Sequence, residues 1–130
     1  MGALTTVKRF YTLLATGNLA AALQLLDPAI EWTEAERTPY YAGTMRGVDA
    51  VVAGLFKPLA NDFADFATTP SEFVADKSRV VSIGRYTGVA TTTNKALSVP
   101  FVHLWTVEND QLRKFRQFTD SGVWIEALTR

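Results

Sequence analysis

Leu4, Val7, Phe10, Tyr11 and Leu14 recur at three- and four-residue steps, the spacing of one apolar helix face. Gly17 supplies a left-handed residue to end that helix, and Asn18 a side-chain cap for the next. Leu19, Ala22, Leu23 and Leu26 form the stripe of a second, shorter helix, which Asp27-Pro28 stops because a proline pushes the residue before it out of helical conformation. The period then changes to two. Ile30-Glu31-Trp32-Thr33-Glu34 alternates and predicts a short strand, followed by a loop carrying Pro39, Tyr40, Tyr41 and Gly43. From Gly47 to about Leu59 the helical spacing returns in Val48, Val51, Val52, Leu55, Phe56 and Leu59, with Pro58 marking a kinked or frayed last turn.

The second half is β-branched and aromatic. Strands are expected over Glu72–Asp76, Val80–Thr92, Leu97–Val107 and Gln111–Thr119, each separated from the next by a short polar turn. Asp120 or Ser121 caps a last short helix with Val123, Trp124, Ile125 and Leu128. Three helices ahead of a long antiparallel meander must bury their apolar faces on one side of that sheet. Long strands curl as they twist, so the sheet leaves a concave hollow on its helix side. The expected fold class is α+β, with three N-terminal helices on a curved, mixed or antiparallel sheet enclosing a pocket. Residues 1–130 read as one domain, without repeats, linkers or low-complexity tracts.

Composition narrows the function. Thirteen basic residues offset thirteen acidic ones, so no electrostatic drive towards nucleic acid or anionic lipid exists. There is no cysteine, which excludes disulfides and thiolate chemistry, and a single histidine, His103, excludes a multi-histidine metal site within one chain. Neither a metal nor a cofactor is expected. Met1-Gly2-Ala3-Leu4 runs straight into an amphipathic segment and no stretch reaches about 18 consecutive apolar residues, so the expectation is no signal peptide, no membrane contact and a cytoplasmic location.

Strand alternation decides which side chains share the hollow. Phe101, His103 and Trp105 form one set, Phe115, Gln117 and Thr119 a second, and Ile30, Trp32 and Glu34 a third. Glu34 and His103 are the candidate catalytic residues. A carboxylate in an apolar hollow has its pKa raised by desolvation, as a proton-abstracting base requires. Trp32, Phe56, Phe101, Trp105, Phe115 and Gln117 are candidate ligand contacts, and Tyr40 and Tyr41 a candidate loop lid with hydroxyl tips. Of Arg85 and Tyr86 only one can face inwards. The opposite face, with Val102, Leu104, Arg116, Phe118 and Tyr86 in one of its two placements, is apolar enough to suggest a homodimer interface.

Several local features, in order, resemble the SnoaL-like branch of the nuclear transport factor 2-like (cystatin-like) superfamily. They are Phe10-Tyr11, Gly17-Asn18-Leu19, Leu26-Asp27-Pro28, Glu31-Trp32, Arg46-Gly47 and Val99-Pro100-Phe101-Val102-His103-Leu104-Trp105. The resemblance implies the cone-shaped α+β barrel. Against the ketosteroid isomerases of that superfamily, counting from Gly17 places Glu34 on their first-strand base, Phe10 on their donor tyrosine and Val102 on their donor aspartate. Against the SnoaL-like cyclases, His103 resembles their pocket histidine, while Gln117 stands where their aspartate base would be. Neither orthodox activity is therefore expected. One reading is a pocket protein binding a small, largely apolar or aromatic metabolite. The alternative is an isomerase, cyclase, lyase or hydrolase in which Glu34 is the general base and His103 and Gln117 position the substrate.

Overall fold

The computed structural model describes residues 2–130. Helix α1 (Ala3–Ala15) buries Thr6, Val7, Phe10 and Tyr11. It ends where the sequence places the stop, with Gly17 at φ 75° and the Asn18 N–H donating to the Leu13 carbonyl at 2.9 Å. Asn18 then caps α2 (Leu19–Gln24) by accepting from the Ala21 N–H. The second helix is shorter than its apolar stripe suggests. Leu26 already belongs to β1 (Leu26–Thr33), and Asp27-Pro28 lies inside that strand. Pro28 has no N–H to give, so the pairing of β1 shifts register between Leu26 and Glu31.

A three-residue strand, β2 (Thr44–Arg46), pairs antiparallel with β1 and is too short to read from alternation. The helical segment that follows runs to Asp62 rather than Leu59. It comprises α3 (Val48–Val51), a π-helical turn (Val52–Phe56) and α4 (Lys57–Asp62). Pro58 is the physical reason for the wide turn. Its ring would strike the carbonyl four residues back, and widening the helix there lets the chain pass without breaking.

The meander is formed by β3 (Phe63–Asp76), β4 (Arg79–Ala90), β5 (Ala96–Glu108) and β6 (Gln111–Thr119), and α5 (Ser121–Leu128) closes the chain. The strand expected at Glu72–Asp76 is only the end of β3. Its first half reads as loop because it lies at the sheet edge, with Pro70 and the left-handed Asp65 breaking the alternation at two register shifts. The strand order is β2-β1-β6-β5-β4-β3, with β1 parallel to β6 and all other neighbours antiparallel. Of the two arrangements left open, the sheet is the mixed one, through the parallel pairing of β1 with β6. Neighbouring groups crowd the sheet at Gly84, where an added Cβ would stand 2.2 Å from the Thr69 carbonyl and 2.6 Å from the Phe101 ring. Only glycine permits that approach.

Candidate functional site

Alternation along the three central strands carries a row of polar side chains into an otherwise apolar interior. Ser82 on β4 is paired with His103 on β5, which is paired with Gln117 on β6. All three are buried on the helix-facing side of the sheet. Tyr86 shares the β4 face with Ser82, and Tyr11 reaches the same layer from α1. Trp32 and Glu34 arrive from the end of β1, Glu34 one residue beyond the strand and 4% exposed.

These groups form one hydrogen-bonded chain. The Trp32 indole N–H donates to Glu34 Oε2 at 2.9 Å, and the Gln117 amide also holds that carboxyl. Gln117 Oε1 accepts from the Ala35 N–H at 3.1 Å, while its Nε2 donates to the Tyr86 hydroxyl at 2.8 Å. Tyr86 Oη lies 2.5 Å from His103 Nε2, and His103 Nδ1 lies 2.5 Å from Tyr11 Oη. Tyr11 Oη in turn meets Ser82 Oγ at 2.5 Å, and the Trp105 indole N–H donates to both, at 3.0 and 3.2 Å. No buried side-chain polar atom among the described residues lacks a partner. That matters because a half-satisfied buried network is worse than an apolar core.

Electrostatics separate the two ends. Burial raises the Glu34 carboxyl to a pKa of about 7, against smaller opposing effects of the Trp32 and Gln117 donors. No cation pairs with it among the described residues. Burial pushes His103 well below the ordinary histidine range, so its imidazole is neutral. The Tyr11 and Tyr86 hydroxyls are pushed up by burial and stay protonated.

Beside this chain lies a cavity of about 40 Å³. Glu34, His103 and Gln117 contribute to its wall, as do Trp32, Phe56, Trp105 and Phe115. Its outer boundary is Leu14, Phe56, Leu59, Phe66 and Thr68, and the same five residues line a groove of about 280 Å³ on the outside. The passage therefore runs between α1, the π turn and β3.

Three expected contacts lie elsewhere. Tyr41 is 43% exposed and flanks a surface hollow behind Glu34 rather than the cavity. Tyr40 is buried, but its hydroxyl donates to Asp62 Oδ2 at 2.8 Å and its ring packs edge-on against Trp124, so the loop is pinned and not a lid over the cavity. Phe101 is behind the lining, stacked 4.0 Å from the His103 ring. Tyr86 faces the interior and Arg85 the outside, where it donates to Ser98 Oγ, so Tyr86 does not belong to the outer face. Phe10 and Tyr11 both enter the interior, so counting from Gly17 misses a buried tyrosine hydroxyl on the first helix. Ser82 was the site residue to find; Tyr86 had two open placements, and Tyr11 lies one position off the count from Gly17. The β4 alternation Val80, Ser82, Gly84, Tyr86, laid beside His103, carries that signal.

Six strands wrapped on helices around a small cavity with a polar row define a cone-shaped α+β pocket domain. Residues 7–115 match the SnoaL-like domain, and the chain belongs to that family. No curated protein matches the sequence. Among solved structures, a nuclear transport factor 2-like protein from Burkholderia thailandensis is 27% identical with a TM-score of 0.94, over 100% of this chain and 99% of that one. A putative SnoaL-like polyketide cyclase from Jannaschia sp. is 19% identical with a TM-score of 0.82, over 97% and 90%. TerC, co-crystallised with polyporic acid, is 18% identical with a TM-score of 0.85, over 97% of each chain. The last two likenesses are of fold. No helix among the described residues is long and apolar enough to cross a membrane.

Proposed function

We propose that this SnoaL-like domain takes up a small, largely apolar or aromatic molecule and that Glu34 acts on it as a general base, in isomerase- or lyase-type chemistry. The observation that carries the reading is Glu34 itself: a carboxyl on the cavity wall, held by two neutral donors, unpaired with any cation, and raised by burial to a pKa of about 7. A base poised near the working pH has both the right protonation state and useful driving force. Glu34 takes a proton from a carbon next to a carbonyl, the C–H electron pair forms a C=C bond, and the carbonyl π pair moves to oxygen. Where the molecule carries a second C=C one bond further on, the enolate is a conjugated dienolate. Returning the proton to its far carbon then moves the double bond into conjugation and completes an isomerisation. The co-crystallisation of TerC with polyporic acid supports the choice of ligand class for this fold.

A second reading, a pocket protein without turnover, is favoured by the cavity size. About 40 Å³ holds a water or two, well below the roughly 300 Å³ at which ligand pockets begin. A ring-sized molecule enters only when Leu14, Phe56, Leu59 and Phe66 turn aside and join the cavity to the outer groove.

The deciding experiment follows deuterium exchange at the methyl carbon of acetophenone by NMR in D2O. Exchange above the buffer rate, rising with pH through about 7 and lowered on the order of 10²-fold in Glu34→Gln, supports the enzyme. Exchange at the buffer rate in the wild type, with acetophenone bound, leaves the binding reading in its place. We also propose that two copies associate through the outer sheet face, where Phe118 is 46% exposed beside the part-buried Val102 and Leu104.

A further inference from the structure

The hydrogens of the buried chain determine which hydroxyl faces the cavity. Gln117 Nε2 and Trp105 Nε1 only donate to it, one towards each end. Between them Tyr86, His103, Tyr11 and Ser82 are joined by three links. With a neutral imidazole these four groups carry one hydrogen each, so three links leave one hydrogen pointing out of the chain.

The imidazole donates at one nitrogen and accepts at the other, which fixes its own two links. Tyr11 Oη has two lone pairs and already accepts from the Trp105 N–H, so when it also accepts from His103 it can only donate to Ser82, and all three links run in the same direction. With the ring hydrogen on Nδ1, Tyr86 donates to His103, His103 to Tyr11 and Tyr11 to Ser82, and the surplus hydrogen is that of Ser82. With it on Nε2, Ser82 donates to Tyr11, Tyr11 to His103 and His103 to Tyr86, and the surplus is that of Tyr86. The number of hydrogens is the same in both.

The surroundings of the two ends differ. Ser82 is 0% exposed, is not on the cavity wall, and has no partner besides Tyr11 and Trp105. Its hydrogen would be stranded in the core, an expensive outcome. Tyr86 lines the cavity beside Glu34 and Gln117, where a water or a ligand oxygen can accept. We infer that His103 is held as the Nε2–H tautomer, and that Tyr86 thereby presents its hydroxyl hydrogen to an oxygen of the bound molecule. Tyr86 is then a ligand-binding residue and His103 its positioning residue. This rests on the pocket reading above and adds a requirement: the ligand carries a carbonyl or similar acceptor oxygen on its apolar body, near the group that Glu34 addresses.

His103 is the chain's only histidine, so ¹⁵N-histidine labelling gives one imidazole and an unambiguous tautomer from two-bond ¹H–¹⁵N correlations. In the ligand-free protein at pH 7.5, Nε2–H is expected, and a predominance of Nδ1–H overturns the assignment. This measurement needs neither a ligand nor a variant. The second arm compares acetophenone with ethylbenzene, similar in shape but without the acceptor, by NMR titration. The wild type should bind the ketone about tenfold more tightly, as one hydrogen bond implies, and Tyr86→Phe should bring the two affinities together. Equal affinities in the wild type overturn the role of Tyr86. Binding of neither compound overturns the pocket reading, while the tautomer still decides which hydroxyl carries the surplus hydrogen.

Discussion

Glu31 and Glu34 stand three residues apart and meet opposite fates. An odd spacing places them on opposite faces of the sheet. Glu31 faces outwards, pairs with Arg46 at 2.7 Å and Arg113 at 3.1 Å, and its carboxyl is held below the usual range, chiefly by the hydrogen bond from Arg46. Glu34 faces inwards, meets only an indole N–H and an amide, and is raised to about 7. The outer face binds its charges to other charges in water. The inner face keeps ionisable groups neutral by burial and holds them with uncharged donors. The base proposed above is the glutamate to which no counter-charge is supplied.

The most disruptive test of that contrast is His103→Leu. It keeps the volume but leaves the Tyr11 and Tyr86 hydroxyls without their shared partner, and roughly 4 kcal/mol should be lost in urea denaturation at pH 7. The pH dependence should change as well. In the wild type the folded imidazole refuses a proton that the unfolded chain accepts below about 6.5, so stability falls as the pH drops through that range. The variant should lack this acid limb. An unchanged limb would mean that another group is responsible.

Glu34→Gln should act at the other end of the pH range and with the opposite sign. Below about 4.5 the carboxyl is protonated in both states and costs nothing. Between 4.5 and about 7 the unfolded chain releases its proton first, so stability declines, and above about 7 the loss is complete. The gap corresponds to on the order of 3 kcal/mol. Glu34→Gln should therefore be more stable than the wild type by about that amount at pH 8 and indistinguishable from it at pH 4.5, while losing exchange activity. A variant that is less stable at pH 8 would show that the carboxylate makes favourable contacts when ionised.

Both residues were readable from the sequence, for one reason: period-two alternation states which residues share a face, and His103, Gln117, Trp32 and Glu34 fall on the inner one. Alternation within a strand does not state which residues lie opposite each other on different strands. Ser82 became visible, and the choice between Arg85 and Tyr86 was decided, only through the β4–β5 register. Tyr11 fell one place off the count because counting without a gap chooses between neighbours, and a helix turns by 100° per residue. The first half of β3 was hidden by its position at the edge, where burial is intermittent and Pro70 is tolerated. Tyr40 looked like a loop residue free to move, but a single hydrogen bond to Asp62 across 22 positions makes it core.

Phe118→Asp examines the outer face. If two copies meet there, the substitution places charge in an apolar contact, and light scattering at micromolar concentration should change from dimer to monomer with little loss of protomer stability. A wild type that is monomeric at that concentration removes the interface without touching the interior.

The smallest effect belongs to Glu31→Gln, and its smallness is the point. Glu31 has two arginine partners, one of them at 2.7 Å, whereas Glu34 has no cation partner, so a count of contacts ranks Glu31 above Glu34. Arg46 is 69% exposed, however, and water and salt screen the pair. The substitution should leave Tm within the scatter of replicate measurements at 150 mM salt and leave acetophenone exchange unchanged. A clear drop in Tm, abolished by raising the salt, would show that the outer charges are a working network. The contrast between the two glutamates would then lie in the kind of environment rather than in its strength.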